Sequence, residues 1–112
     1  MAAKGDEIIV IYALFPTAGE AHDVCRKLLE ERLIACANRM APCVSHFSWL
    51  GELQAQEEHP VMMKTRADKG EAAMARLAKL HSYDVPAIMQ LPVMAAHPGF
   101  VQWVSDRTVP RP

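Results

Sequence analysis

Three cysteines, five histidines and one lysine inside an apolar stretch are the residues of this chain whose types could do chemistry. The cysteines are Cys25, Cys36 and Cys43; the histidines are His22, His46, His59, His81 and His97. A thiolate beside an imidazole suits Cu(I) or Zn(II), and imidazole suits copper and zinc in general. No Cys-x-x-Cys pair occurs, and no two histidines have the helical spacing of a zinc motif. Any metal site must therefore be assembled through space or across subunits. Cys36 and His81 are the candidate ligands. Cys36 has a competing reading as a small apolar residue where a helix meets a strand. His81 sits in a loop between a helix and a strand, where sites commonly lie, and could equally serve a helix C-terminus. Cys25 falls on an apolar helix face and reads as core, whereas Cys43, beside Pro42, is open. His46 and His59 fall on an extended arm and read as surface residues.

Lys64 follows Val61-Met62-Met63 in a stretch that reads as a central strand, and a buried ammonium needs a partner. Glu58 has the same strand parity, but six residues place it roughly 20 Å along the strand. The two can communicate only through a ligand, a bend or another subunit; the plainer reading pairs Lys64 with a carboxylate such as Asp84. Catalysis finds no support: there is no Gly-x-Ser-x-Gly elbow, phosphate-cradling glycine loop or His-Glu-x-x-His. Glu30-Glu31 and Glu57-Glu58 read as solvated charge. A non-enzyme is expected.

The elements that must position these residues follow from periodicity. Ile8 to Leu14 is apolar on both alternating faces, as in a central strand covered on both sides or by a partner. After Pro16-Thr17 the period changes. Ala21, Val24, Cys25, Leu28, Leu29 and Leu33 share one helical face, opposite Glu20, Asp23, Arg26, Lys27, Glu30 and Glu31. Residues 35–49 read as extended with a bend or bulge at Pro42, and Leu50-Gly51 as a two-residue turn. The chain returns over Glu52 to Thr65. Asp68 or a neighbour caps a second helix ending near Leu80, His81 to Pro86 is a loop, and Ala87 to Val93 is a fourth strand. Pro98 opens a short final helix. The order is an α+β arrangement, β-α-β-β-α-β with a C-terminal helix: a ferredoxin-like sandwich with a long hairpin between its second and third strands.

Length adds an argument about assembly. The 14 residues from Cys36 to Trp49, extended, would span roughly 45 Å. A compact domain of this size is roughly 34 Å across. The hairpin must bend at Pro42 or project, and a projecting arm carrying Val44, Phe47, Trp49 and Leu53 exposes apolar surface and strand edges unless another subunit covers them. Oligomerisation is expected on that ground alone.

The totals bound the rest. One domain spanning residues 1–112, 51% apolar and 22% charged, is ordinary for a soluble globule. A net charge of −1 offers no broad cationic field for nucleic acid. The central strands also lack the basic-aromatic pattern with which RNA-recognition sheets stack bases. The apolar run from Ile8 to Phe15 is too short for a bilayer and follows Asp6-Glu7 rather than a basic start, so neither a membrane span nor a signal peptide is expected. Three cysteines without paired spacing fit reduced thiols and a cytoplasmic location.

Five pieces of sequence in order resemble the CutA divalent-cation-tolerance family across nearly the whole chain. These are Leu29 with Leu33-Ile-Ala-Cys36; Ser45, Phe47, Trp49 and Gly51; Glu58 with Lys64-Thr65; His81-Ser-Tyr-Asp-Val-Pro86; and Trp103. The resemblance implies the ferredoxin-like fold, a tight homotrimer and a role in tolerance of divalent cations such as copper, with Cu(II) or another divalent cation bound and no organic cofactor. It also implies a ligand pocket around Lys64, Glu58, Tyr83 and Trp49, with His81 nearby. The fold further resembles that of PII signalling proteins, which bind small effectors between subunits. That likeness supplies an alternative, an anionic effector held by Lys64 or Arg66; a third reading is a purely structural or partner-docking trimer stabilised mainly by its packed arms. Three positions depart from the family pattern. Phe47 replaces a tyrosine, Ser82 a proline and Ala87 a glutamate, which removes one hydroxyl and one carboxylate from any site that used them.

Overall fold

The structure, a computed structural model, describes residues 3–4 and 7–109. A four-strand antiparallel sheet carries two helices on one face. Its strands are β2 (Ile8–Phe15), β3 (Cys36–Arg39), β5 (Glu52–Arg66) and β6 (Ile88–Pro92), in the order β3-β5-β2-β6. A further strand, β4 (Cys43–Trp49), pairs only with the outer half of β5. The helices are α1 (Ala18–Glu30), α2 (Gly70–Leu80) and α3 (Pro98–Arg107). This is the expected α+β sandwich. A small ribbon of β1 (Ala3–Lys4) and β7 (Ala95–Ala96) is an addition that two-residue strands could not announce in the sequence.

Each helix starts where its local chemistry directs. The Thr17 hydroxyl accepts the Glu20 N–H at 3.1 Å and caps α1. Its other end is a Schellman turn: Leu33 N–H reaches Leu28 C=O and Arg32 N–H reaches Leu29 C=O, with Arg32 left-handed at φ 58°. Asp68 does not cap α2. It pairs with Arg66 at 2.6 Å, and a 3₁₀ turn over Ala67–Lys69 precedes the helix. α3 opens with Pro98, and the His97 ring nitrogen Nδ1 accepts the Gly99 N–H at 3.0 Å.

Period-two alternation divides the sheet into two unlike faces. Ile9, Ile11, Ala13 and Phe15 of β2, with Val61 and Met63 of β5, pack under Ala21, Val24, Leu28, Ala73 and Leu77 of the helices. Full burial of each large side chain there stabilises the fold by about 1.5–3 kcal/mol. The opposite face carries Val10, Tyr12, Met62, Lys64, Cys36, Met89 and Leu91, set side by side by the strand register. α3 covers only its end, where Val101 and Val104 bury Ile8. Most of this second face is left half-exposed and largely apolar.

The chain both bends and projects. The ladder to β5 breaks between Arg39 and Cys43, at Pro42, yet β5 continues through all 15 of its residues and carries β4 outward as an arm. The molecule measures 47 × 31 × 22 Å, elongated for its length. Leu50 and Gly51 turn the arm with φ 51° and 80°, the left-handed pair of a type I′ hairpin turn. Among the described residues no helix is long and apolar enough to cross a membrane.

Candidate functional site: a cleft at the base of the arm

Strand parity builds the site. Along the arm, Glu52, Gln54, Gln56 and Glu58 of β5 stand opposite Trp49, Phe47, Ser45 and Cys43 of β4, all on the side continuous with the open sheet face. The loop after α2 crosses that side. Between them lies a cleft of about 650 Å³ whose walls include Phe47, Trp49, Tyr83 and Val85 and whose polar groups include Glu58 and Asp84. The volume lies in the range of small-molecule sites.

Glu58 is only 7% exposed. One of its oxygens accepts the Tyr83 hydroxyl at 3.3 Å, and that hydroxyl accepts an N–H of Gln56 at 2.9 Å. Among the described residues Glu58 has no Lys, Arg or His within ion-pair distance, and no lining residue is a cation. The Tyr83 phenol is raised above its ordinary value, first by burial and then by the Glu58 charge, so it stays a donor to that carboxylate at neutral pH.

His81 does not face the cleft. Its Nε2–H donates to the Leu14 carbonyl at 2.7 Å and its Nδ1 accepts the Tyr83 N–H at 3.1 Å, the tautomer being assigned from these partners. The ring stacks on Phe15 at 4.8 Å and lies 3.6 Å from the Glu20 carboxylate, which accepts the Ser82 N–H. Both ring nitrogens are engaged, so His81 anchors the loop that delivers Tyr83. Its ring does not serve the carbonyls at the end of α2, but its backbone N–H does, donating to the Leu77 carbonyl at 3.0 Å.

Lys64 and Cys36 lie elsewhere. Cys36 stands opposite Lys64 in the ladder, and Lys64 donates to the Asn38 side-chain oxygen rather than to Asp84. Lys64 does not line the cleft, so the expected pocket keeps Glu58, Tyr83 and Trp49 and loses its cation. Lys64 pairs with Val10, whereas His81 touches Leu14 and Phe15, roughly 15 Å along β2. Cys36 and His81 of one chain therefore cannot share an ion. Burial pushes the Cys36 thiol up, against the opposing pull of the Lys64 ammonium. Cys25 is buried in the core, Cys43 is half-buried on the arm, and all three thiols are free. Among the described residues no group of three or more His, Cys, Asp or Glu is placed to hold a metal within one chain.

Gln54, Gln56 and Val85 were not anticipated as lining residues. The two glutamines share the parity of Glu58, which was the available signal; Val85 depends on how His81 folds the loop.

The family model for the CutA1 divalent ion tolerance protein matches residues 9–107. The chain belongs to the CutA1 family. It is 36% identical over 101 residues to the divalent-cation tolerance protein CutA of Pyrococcus horikoshii, covering 90% of this chain and 98% of that one. With the CutA of Archaeoglobus fulgidus it shares 34% over 99 residues, 88% and 95% of the two chains. The crystal structure of CutA1 from Ehrlichia chaffeensis superposes with a TM-score of 0.90 at 33% identity, over 94% and 98% of the two chains. The CutA1 family is one of divalent-ion tolerance, not of enzymes.

Proposed function

We propose that this CutA1 family member works as a non-enzymatic homotrimer in divalent-cation tolerance, and that it binds the cation, copper foremost, in the cleft at the base of the arm. The observation that carries this reading is Glu58, a residue only 7% exposed whose carboxylate has no cationic side chain beside it among the described residues. A buried charge requires compensation, and a cation entering the cleft supplies it. Asp84 adds a second carboxylate to the same wall. Donors from a neighbouring subunit complete the coordination, since the described residues of one chain do not gather three. Copper heads the divalent series at most nitrogen and oxygen sites, so its binding is judged against zinc.

The trimer is supported by surface that a lone chain leaves open. The face bearing Val10, Tyr12, Met62 and Met89 runs into an arm on which Trp49 is 57% exposed and Leu53 91%. An anionic effector of the PII kind fits this cleft poorly. Its only charges are carboxylates, while Lys64 and Arg66 are engaged with Asn38 and Asp68 at the far end of β5. We place the protein in the cytoplasm, on its three free thiols. Sedimentation equilibrium together with metal titration tests the reading. The expected result is three times the 12.4 kDa chain mass with one tightly held divalent ion per subunit. A monomer, or an assembly that surrenders all metal to a weak chelator, contradicts it.

A further inference from the structure

A bare metal ion needs a few oxygens and little space, yet this cleft is about 650 Å³ and is walled by the Phe47, Trp49 and Tyr83 rings and the Val85 side chain. The Tyr83 ring meets the Glu58 carboxylate, and the Phe47 and Trp49 rings line the same cleft farther out along the arm, surroundings in which an ammonium group bearing carbon substituents is held. The ring faces attract the charge, the carboxylate neutralises it, and the apolar walls take up its methyl or methylene groups. Resting on the cleft being the cation-binding site, we propose that it also accepts a small organic ammonium ion, which pairs with Glu58 and competes there with the divalent metal.

Three observations converge on this class. One Glu58 oxygen is held by the Tyr83 hydroxyl, and the other has no protein partner among the described residues. Gln56 fixes the phenol, so the aromatic wall and the carboxylate are held as a unit. The lining contains no lysine or arginine, which disfavours anions, and its remaining polar groups suit a hydroxyl or amine tail on the ligand. Competition follows because a metal ion and an ammonium cannot occupy one carboxylate together. A metal that displaces the amine gives the oligomer a means of reporting metal without catalysis.

The test uses the intact oligomer with Trp103→Phe, so that Trp49 alone reports by fluorescence. Choline is titrated against its neutral isostere 3,3-dimethylbutanol. The expected result is a saturable change with choline, at least about tenfold weaker with the alcohol or in Glu58→Gln. Phe47→Leu, which removes one ring from the wall, should weaken choline by about threefold. Equal responses to choline and the alcohol would mean an apolar groove only and overturn the proposal, as would no saturable response. Zinc affinity is measured separately by chelator competition. Choline binding without zinc binding would sink the metal reading and leave this one standing, and the reverse would do the opposite.

Discussion

His81 and Tyr83 are coupled through two contacts: the Tyr83 N–H donates to His81 Nδ1 at 3.1 Å, and the two rings lie 5.0 Å apart in a tilted arrangement. Through this pair the strand carbonyl of Leu14 determines where the phenol meets Glu58. His81 is thus a positioning residue for the cleft.

Replacing it, as in His81→Leu, leaves the Leu14 carbonyl and the Tyr83 N–H without partners. Each buried orphan costs about 1–3 kcal/mol, so urea unfolding at fixed protomer concentration should show a loss in that range or larger. Metal stoichiometry in the folded variant should be unchanged. Loss of metal without loss of stability would instead make His81 a ligand.

The Arg76 guanidinium makes two hydrogen bonds to the Glu31 carboxylate, at 2.8 and 2.9 Å, and holds that carboxyl below its ordinary range. A depressed carboxylate contributes stability above its unfolded pKa, about 4.3, and loses that contribution as pH falls through the lower folded value. Glu31→Gln should therefore be less stable than wild type at pH 7 and indistinguishable from it once the carboxyl is protonated, near pH 2. Urea midpoints at the two pH values check this.

Met62 lies in the middle of the open sheet face, beside Tyr12 on β2 and Asn38 on β3. A charge there must be desolvated if another subunit covers it, at a cost of several kcal/mol. Met62→Glu should keep its circular dichroism spectrum and sediment as a monomer. An unchanged assembly mass would place the subunit contacts on another surface.

Leu50 occupies a left-handed conformation at the arm tip and is 90% exposed. A left-handed residue other than glycine or asparagine costs about 1–2 kcal/mol. Leu50→Asn, which matches the Asn-Gly preference of this turn, should raise stability by up to about 1 kcal/mol in thermal unfolding. A loss would mean that the leucine side chain is itself packed in the assembly.

Much of this molecule could be read from the chain because its patterns are local. The alternation from Ile8 to Phe15 and the helical stripe through Ala21, Val24, Cys25 and Leu28 locate the sheet and its covering helix. The arm followed from length. Most of what escaped depends on contacts distant in sequence. Asp68 is the local exception: it looked like a cap, but Arg66, two residues before it, takes its carboxylate. His81 looked like a ligand because nothing nearby in sequence announces the Leu14 carbonyl 67 residues away. Lys64 looked like the partner of a carboxylate such as Asp84, but the strand ladder gives the lysine Asn38, 26 residues away, instead. The cleft itself arises where the arm meets the His81 loop, a juxtaposition that periodicity does not encode.

Cu(II) competition against a calibrated chelator, with zinc as comparator, on the reduced and metal-stripped wild type and on Glu58→Gln shows whether Glu58 holds the ion. One ion per subunit should survive the chelator in the wild type, with at least about tenfold weaker binding once the carboxylate is neutralised. Equal retention of copper by the two proteins would contradict this expectation and remove Glu58 and its cleft from the metal site.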